Sequence, residues 1–151
     1  MNSLRVEFES SITHKKMVFQ KEITLKPFKR GFHLITNFIT PELVDMTGIV
    51  HLFIKHTSAS LTINENSDPS VRYDFETHFN KLVSEDDKHY THTFEGKDDM
   101  TSHIKSSILG SSVSFPIKNG EPQLGTWQGI YLCEHRNYAS GRKIYITCIG
   151  K

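Results

Sequence analysis

Eight short stretches of β-type patterning, at residues 4–9, 17–25, 31–39, 48–56, 59–64, 111–117, 130–135 and 143–149, crowd a chain of 151 residues. Antiparallel strands join through tight turns, whereas parallel neighbours need crossovers of a dozen or more residues. Most gaps between these stretches are too short for repeated crossovers. The spacing therefore argues against a doubly wound sheet or an α/β barrel and predicts an antiparallel sandwich, in an α+β, mostly β fold.

Two segments break the β pattern and carry helix punctuation. Over 68–83, Asp68 is a natural N-cap, Pro69 follows at the first helical position, and Val71, Phe75, Phe79 and Leu82 recur at helical spacing. Over 99–110, Asp99 can cap, Met100, Ile104 and Ile108 form a stripe, and Gly110 supplies a stop. A short helical turn fits 41–45. Neither repeats nor a Gly- or Pro-rich linker divides the chain, so 1–151 reads as one domain.

Composition removes several function classes. Eighteen Lys plus Arg against seventeen Asp plus Glu leave a formal charge of +1, so no bulk positive field is available for nucleic acid or an acidic membrane. Any anion site must be local. The opening residues lack a secretory pattern and no apolar run is long enough to span a membrane, giving the expectation of a cytoplasmic chain. Cys133 and Cys148, fifteen apart, encode neither a disulfide scaffold nor a thiolate zinc site.

Nine histidines are the compositional oddity, and their positions carry the chemistry. His56 shares a strand face with Val50, Leu52 and Ile54, at the rim of an apolar surface, before Thr57 and Ser58 turn the chain. It reads either as a core-edge histidine or as a ligand. Asn64, Glu65, Asn66 and Asp68 crowd a strand-to-helix corner. Asp74 and His78 flank the apolar stripe of the first helix, so Asp74 reads as a hydrogen-bonded structural carboxylate or as a base. His103 falls on the apolar face of the second helix, and His92 lies in a Tyr90, His92, Phe94 alternation just upstream. His92 and His103 make a candidate metal pair, completed by His56 or a carboxylate, although the spacing is no recognised zinc signature. Ser102 and Lys105 have the S-x-x-K spacing of serine acyl-enzymes without the companion K-T-G. Lys105 and the helix start can also receive an anion. Trp127 stands between Gly125 and Gly129 beside Gln128, and Arg142 follows a Ser-Gly turn as a possible anion clamp.

Together, H-T-S-A-S-L-T-I-N-E-N at 56–66, D-P-x-V-x-x-D at 68–74, Y-x-H-x-x-E-G-x-D-D-M-x-S-H-I-K-S-S at 90–107 and L-G-T-W-Q-G-I at 124–130 resemble the YjbQ-like family, often called secondary thiamine-phosphate synthases. The resemblance runs from about residue 31 to the end, with 1–16 as an N-terminal extension. It implies a jelly-roll-like β-sandwich with two flanking helices, assembled as a homotrimer. It also implies a reaction joining hydroxymethylpyrimidine diphosphate to thiazole phosphate. Carried over by motif, His56, Asp74, Glu95 and His103 become catalytic candidates; Thr57, Ser58, Asn64, Lys105, Trp127, Gln128 and Arg142 become contacts for a small phosphorylated metabolite. His56, Glu65, Asp68, His92 and His103 become ligands for Mg²⁺ at a diphosphate or Zn²⁺ at histidines. Glu134 joins the pocket on the same ground. Two rivals keep the same pocket: a metal-dependent phosphate-ester hydrolase, and a non-catalytic trimer that binds a metabolite or metal.

Overall fold

The computed structural model describes residues 15–151, so the stretch predicted at 4–9 lies outside the described residues. Eight strands form two antiparallel sheets: β1 (Met17–Leu25), β2 (Gly31–Leu34), β3 (Gly48–Ile54), β4 (Ala59–Glu65), β5 (Ser112–Lys118), β6 (Glu121–Pro122), β7 (Gln128–Glu134) and β8 (Arg142–Gly150). The larger sheet runs β1-β8-β3-β5-β6 and the smaller β2-β7-β4. Helices α1 (Thr36–Ile39), α2 (Pro69–Leu82) and α3 (Lys97–Leu109), with a 3₁₀ turn at Thr40–Glu42, complete an α+β, mostly β architecture.

Period-two alternation explains the layering. Val50, Leu52 and Ile54 of β3 and Ile144, Ile146 and Cys148 of β8 point to one side of the large sheet, where they meet Ala59, Leu61, Ile130 and Leu132 of the small one. That shared cluster is the main core. β7 is buried from Gly129 to its end because its second face is also covered: Tyr131 and Cys133, with Phe32 of β2, pack against Phe75 and Phe79 of α2 and Leu109 of α3. Phe32 stacks on Phe75 with centroids 5.2 Å apart.

Local chemistry fixes most boundaries. Asp68 caps α2 by accepting from the Ser70 N–H at 2.8 Å, with Pro69 at the first position, as the sequence predicts. The stretch expected as strand 31–39 ends instead at Leu34, where Thr36 opens a helical turn and its Oγ1 takes the Ile130 N–H at 2.9 Å. The predicted cap of the second helix also moves. Gly96, at φ 110, precedes α3, and Asp99 lies inside the first turn, 1% exposed. Its carboxylate is taken by His92, His103 and Arg136 and does not cap its own helix.

Gly48 and Gly150 face each other in the β3–β8 register. A Cβ on Gly48 would lie 2.0 Å from the Ile149 carbonyl oxygen and 2.7 Å from Gly150 Cα. Both neighbours are backbone, so no rotamer relieves the clash. Gly48→Ala is expected to cost about 1–3 kcal/mol, read as a lower urea midpoint at unchanged slope; an unchanged midpoint would show that the two strands separate there without cost.

Candidate metal centre

The first turn of α3 brings Asp98 and Asp99 under the loop that follows β7. Arg136, two residues past the end of β7, donates from Nε to Asp98 Oδ2 at 2.9 Å and pairs through a terminal nitrogen with Asp99 Oδ1. Its other terminal nitrogen reaches the Glu95 carbonyl at 3.0 Å, and the Asn137 N–H donates to Asp98 Oδ2 at 2.9 Å. Burial alone would raise the Asp99 carboxyl. The His92 hydrogen bond and the charges of Arg136 and His103 outweigh burial and hold the carboxyl below the usual carboxylate range. Asp98 is lowered by the Asn137 N–H and Arg136 against the same opposing burial.

Asp99 Oδ2 is where two imidazoles meet. His92 Nε2 lies 2.7 Å from it and His103 Nε2 3.4 Å from it, and the two rings are 5.5 Å apart between centroids. One donor atom from each of His92, Asp99 and His103 falls within 4.8 Å of the others, the spread a single ion can bridge. The Asp99 side chain is 2% exposed and that of His92 50%, so the cluster has a buried floor and an open roof.

The far side of His103 fixes its tautomer. Its Nδ1 lies 3.0 Å from the Thr57 carbonyl, which can only accept. Nδ1 therefore carries the proton, and in the neutral ring Nε2 turns a lone pair toward a carboxylate oxygen. A neutral ring thus sets two acceptors face to face, and a cation between them, a proton on Nε2 or a metal ion, resolves the pairing. This backbone-anchored imidazole is the arrangement seen behind metal-ligating histidines.

A cleft of about 770 Å³ opens beside His103, lined by His56, Thr57, Ser106, Ser107 and Ser111 among others. Behind it Arg142 donates from Nε to Glu134 Oε2 and from a terminal nitrogen to Oε1, both at 2.6 Å, with a further contact to Ser58 Oγ at 3.1 Å. Glu134 also accepts the Arg136 N–H at 3.0 Å, so a continuous polar chain joins Arg142 to the Asp99 cluster.

The predicted site residues divide. His92 and His103 come together, with Thr57 supplying a carbonyl and Glu95 a carbonyl in place of its exposed side chain. His56, Ser58 and Arg142 gather next to them, but His56 Nε2 accepts the Lys143 N–H at 2.8 Å and is occupied. Burial and the Arg142 charge lower the His56 pKa. Lys105 is 1% exposed and points away from the cleft, donating to Asn80 Oδ1 at 2.6 Å. Ser102 Oγ returns to the Asp98 carbonyl, so the two do not form an acyl-enzyme pair.

Asn64, Glu65, Asp68, Trp127 and Gln128 sit at the opposite end of the small sheet, because Ala59 pairs with Glu134 while Glu65 pairs with Gln128. Six residues of strand separate those ends, about 20 Å. There Glu65 accepts the Asp68 N–H, Asn64 the Glu65 N–H and Gln128 the Gly125 N–H, all local structural duties. Asp74 is exposed on α2.

The residues that sequence reasoning missed are Asp99 as the third member of the cluster and Arg136 as its holder. Asp99 and His103 are four apart on one helix and so share a face, a signal present in the chain. Arg136 had none.

Behind the small sheet, His135 is 1% exposed and hydrogen-bonds Ser60 Oγ at 2.8 Å through Nε2. Burial pushes its pKa down to about 3, reinforced by the charges of Lys105, Arg30 and Arg142. The unfolded chain, near the ordinary value of about 6.5, binds more protons across this interval. Stability therefore falls as pH drops from about 6.5 toward 3, by about 1.4 kcal/mol per pH unit from this group. Urea unfolding at pH 7 and 5 should show that loss, and His135→Gln should flatten it; equal slopes in both proteins would rule the assignment out.

Fold and site define a class: a two-sheet antiparallel protein with helices over its small sheet and an open cluster of two histidines and an aspartate at one end. The chain belongs to the UPF0047 protein YjbQ-like family, whose model matches residues 21–151. It is 54% identical over 139 residues to UPF0047 protein YjbQ of Salmonella typhimurium, covering 89% of this chain and all of that relative. A crystal structure of a YjbQ/UPF0047 family protein from Clostridium acetobutylicum superimposes with TM-score 0.73 at 37% identity, covering 83% of this chain and 97% of that one. A YbjQ-like protein of unknown function from Sulfolobus solfataricus, with TM-score 0.78 at 22% identity and covering 91% and 100% respectively, shares the fold.

These comparisons correct one expectation. The relatives bear family names without an assigned activity, and the Sulfolobus protein is described as of unknown function, so nothing in them supports thiamine-phosphate synthesis. The geometry agrees: Lys105 and Trp127, both expected as contacts for the phosphorylated metabolite, lie away from the histidines and from each other. Among the described residues no helix is long and apolar enough to cross a membrane.

Proposed function

We propose that the protein binds a divalent transition metal through His92 Nε2, Asp99 Oδ2 and His103 Nε2 and offers the remaining coordination position to a small oxyanion in the adjoining cleft. The observation that carries this reading is the convergence of one donor atom each from His92, Asp99 and His103 within 4.8 Å, with His103 anchored from behind by the Thr57 carbonyl. Two imidazoles and one carboxylate suit Zn²⁺ and its neighbours better than Mg²⁺, which prefers oxygen ligands. Three protein ligands with an exchangeable fourth position are the pattern of reactive metal sites. The cleft also carries the hydroxyl-bearing side chain of Thr57, while Ser106 and Ser107, which donate to the Thr57 and His103 carbonyls, would have to turn their hydroxyls to meet the oxygens of a phosphate-bearing metabolite.

The homotrimer and cytoplasmic placement belong to the same proposal. A self-contact is supported by the outer face of the large sheet, where Val18, Ile149, Ile49 and Pro116 line up across four strands and Ile49 and Ile149 are 57% and 55% exposed. The buried free thiols Cys133 and Cys148 accord with a reducing compartment.

Titration of the metal-stripped protein with Zn²⁺, followed calorimetrically, should give one site per chain. His103→Ala should lose that site while the protein keeps its sedimentation coefficient. Absence of stoichiometric Zn²⁺ or Co²⁺ binding by the unaltered protein would end the proposal.

A further inference from the structure

The carboxylate of Asp99 has two oxygens and only one is free. Oδ1 is taken by the Arg136 guanidinium, while Oδ2 alone faces the two imidazoles. Arg136 is itself locked. Its backbone N–H donates to buried Glu134, its Nε to Asp98, and its remaining terminal nitrogen to the Glu95 carbonyl. The last contact matters because residues 91–95 have no regular structure and are exposed, yet they carry His92. One side chain thus ties together the end of β7, the first turn of α3 and the loop that brings the outermost imidazole.

We infer that Arg136 is the positioning residue of the metal centre proposed above: by occupying Asp99 Oδ1 it restricts Asp99 to one-oxygen ligation, and by holding Glu95 it keeps His92 over the site. A guanidinium presents its donors in a rigid planar fork, so it can fix the rotation of a carboxylate in a way a single ammonium cannot. With Oδ1 unavailable the protein contributes three donor atoms, which leaves one vacancy in a tetrahedral shell. Were both oxygens free, Asp99 would chelate, the shell would expand, and the vacancy would be filled by protein. Charge supports the same assignment. Asp98 and Asp99 bring two negative charges and Arg136 one positive, so the centre retains a single negative charge with neutral imidazoles, suited to a dication.

The inference rests on metal binding, and the experiment separates the two. Co²⁺ is bound to the unaltered protein and its visible spectrum recorded; four-coordinate Co²⁺ gives intense bands and six-coordinate Co²⁺ faint ones. The expected result is the intense spectrum at one ion per chain. Arg136→Gln should weaken Co²⁺ binding 10–100-fold, the range for residues that orient metal ligands, and shift the spectrum toward higher coordination. Arg136→Lys, which restores charge without the fork, should recover part of the affinity but not the original spectrum. Unfolding midpoints in chelator check that each variant is folded. X-ray absorption of the unaltered Zn²⁺ protein covers the case in which Arg136→Gln does not fold: two nitrogen donors and a single carboxylate oxygen uphold the assignment, and a chelating carboxylate overturns it. Unchanged affinity and spectrum in Arg136→Gln overturn the role of Arg136 and leave the metal centre standing. No Co²⁺ binding by the unaltered protein overturns both.

Discussion

Replacing Asp99 with Asn is expected to lower Zn²⁺ affinity by at least about 100-fold, more than any other conservative change in the cluster, because residues that merely orient ligands already cost 10–100-fold. The amide keeps the shape of the carboxylate and loses its charge. It would still meet Arg136 and two imidazoles, but two of these partners donate, and only one amide oxygen remains to receive them. Asp99 is 1% exposed, so the weakened pairing is not replaced by water. The metal-free variant should therefore also unfold at a lower urea concentration, by about 1.5–3 kcal/mol for the lost charge-assisted bonds. Competition with a chromophoric chelator measures the first effect and urea unfolding in chelator the second. Wild-type affinity in Asp99→Asn would remove Asp99 from the metal shell.

Glu134→Gln should be the most damaging single change to stability, at about 3–5 kcal/mol, the cost of breaking a buried ion pair by removing one partner. Glu134 is fully buried and the Arg142 side chain is 6% exposed, and the pair is joined by two hydrogen bonds of 2.6 Å. The substitution strands a guanidinium in the interior. Its reach extends to the site, since Arg142 also holds Ser58, next to the Thr57 carbonyl that orients His103. Glu134→Gln should thus lose several-fold in metal affinity besides its stability. Combining it with Arg142→Met removes the stranded charge and should restore most of the unfolding free energy. If the double variant is as unstable as the single one, the loss comes from packing and not from the pair.

Several elements were legible because their causes are local. Asp68-Pro69 followed by Val71, Phe75 and Phe79 announced α2 and its half-buried stripe, and the alternation of Val50, Leu52 and Ile54 announced which face of β3 meets the core. Leu82, read as part of the same stripe, is 60% exposed. Other misreadings share a single source. Asp99 looked like a cap because Asp before a helical stripe usually is one. Lys105 looked like an anion contact because it is cationic near a helix start, whereas the body of the protein buries it against Asn80. Trp127 and Gln128 looked like pocket residues, but strand direction carries them to the other end of β7.

The sequence by itself determined the β-rich antiparallel class, the helix that covers the small sheet, and the two histidines of the site, because hydrophobic period, capping chemistry and residue type are properties of neighbours in the chain. Only the tertiary structure decided that Asp99 is their third partner, that Arg136 claims its other oxygen from 37 residues away, and that Glu134 and Arg142 anchor the whole. The physical reason is range. A carboxylate's partner is set by which guanidinium or imidazole the packed sheets bring within about 3 Å, and that depends on strand register and loop path, which the identity of adjacent residues does not encode.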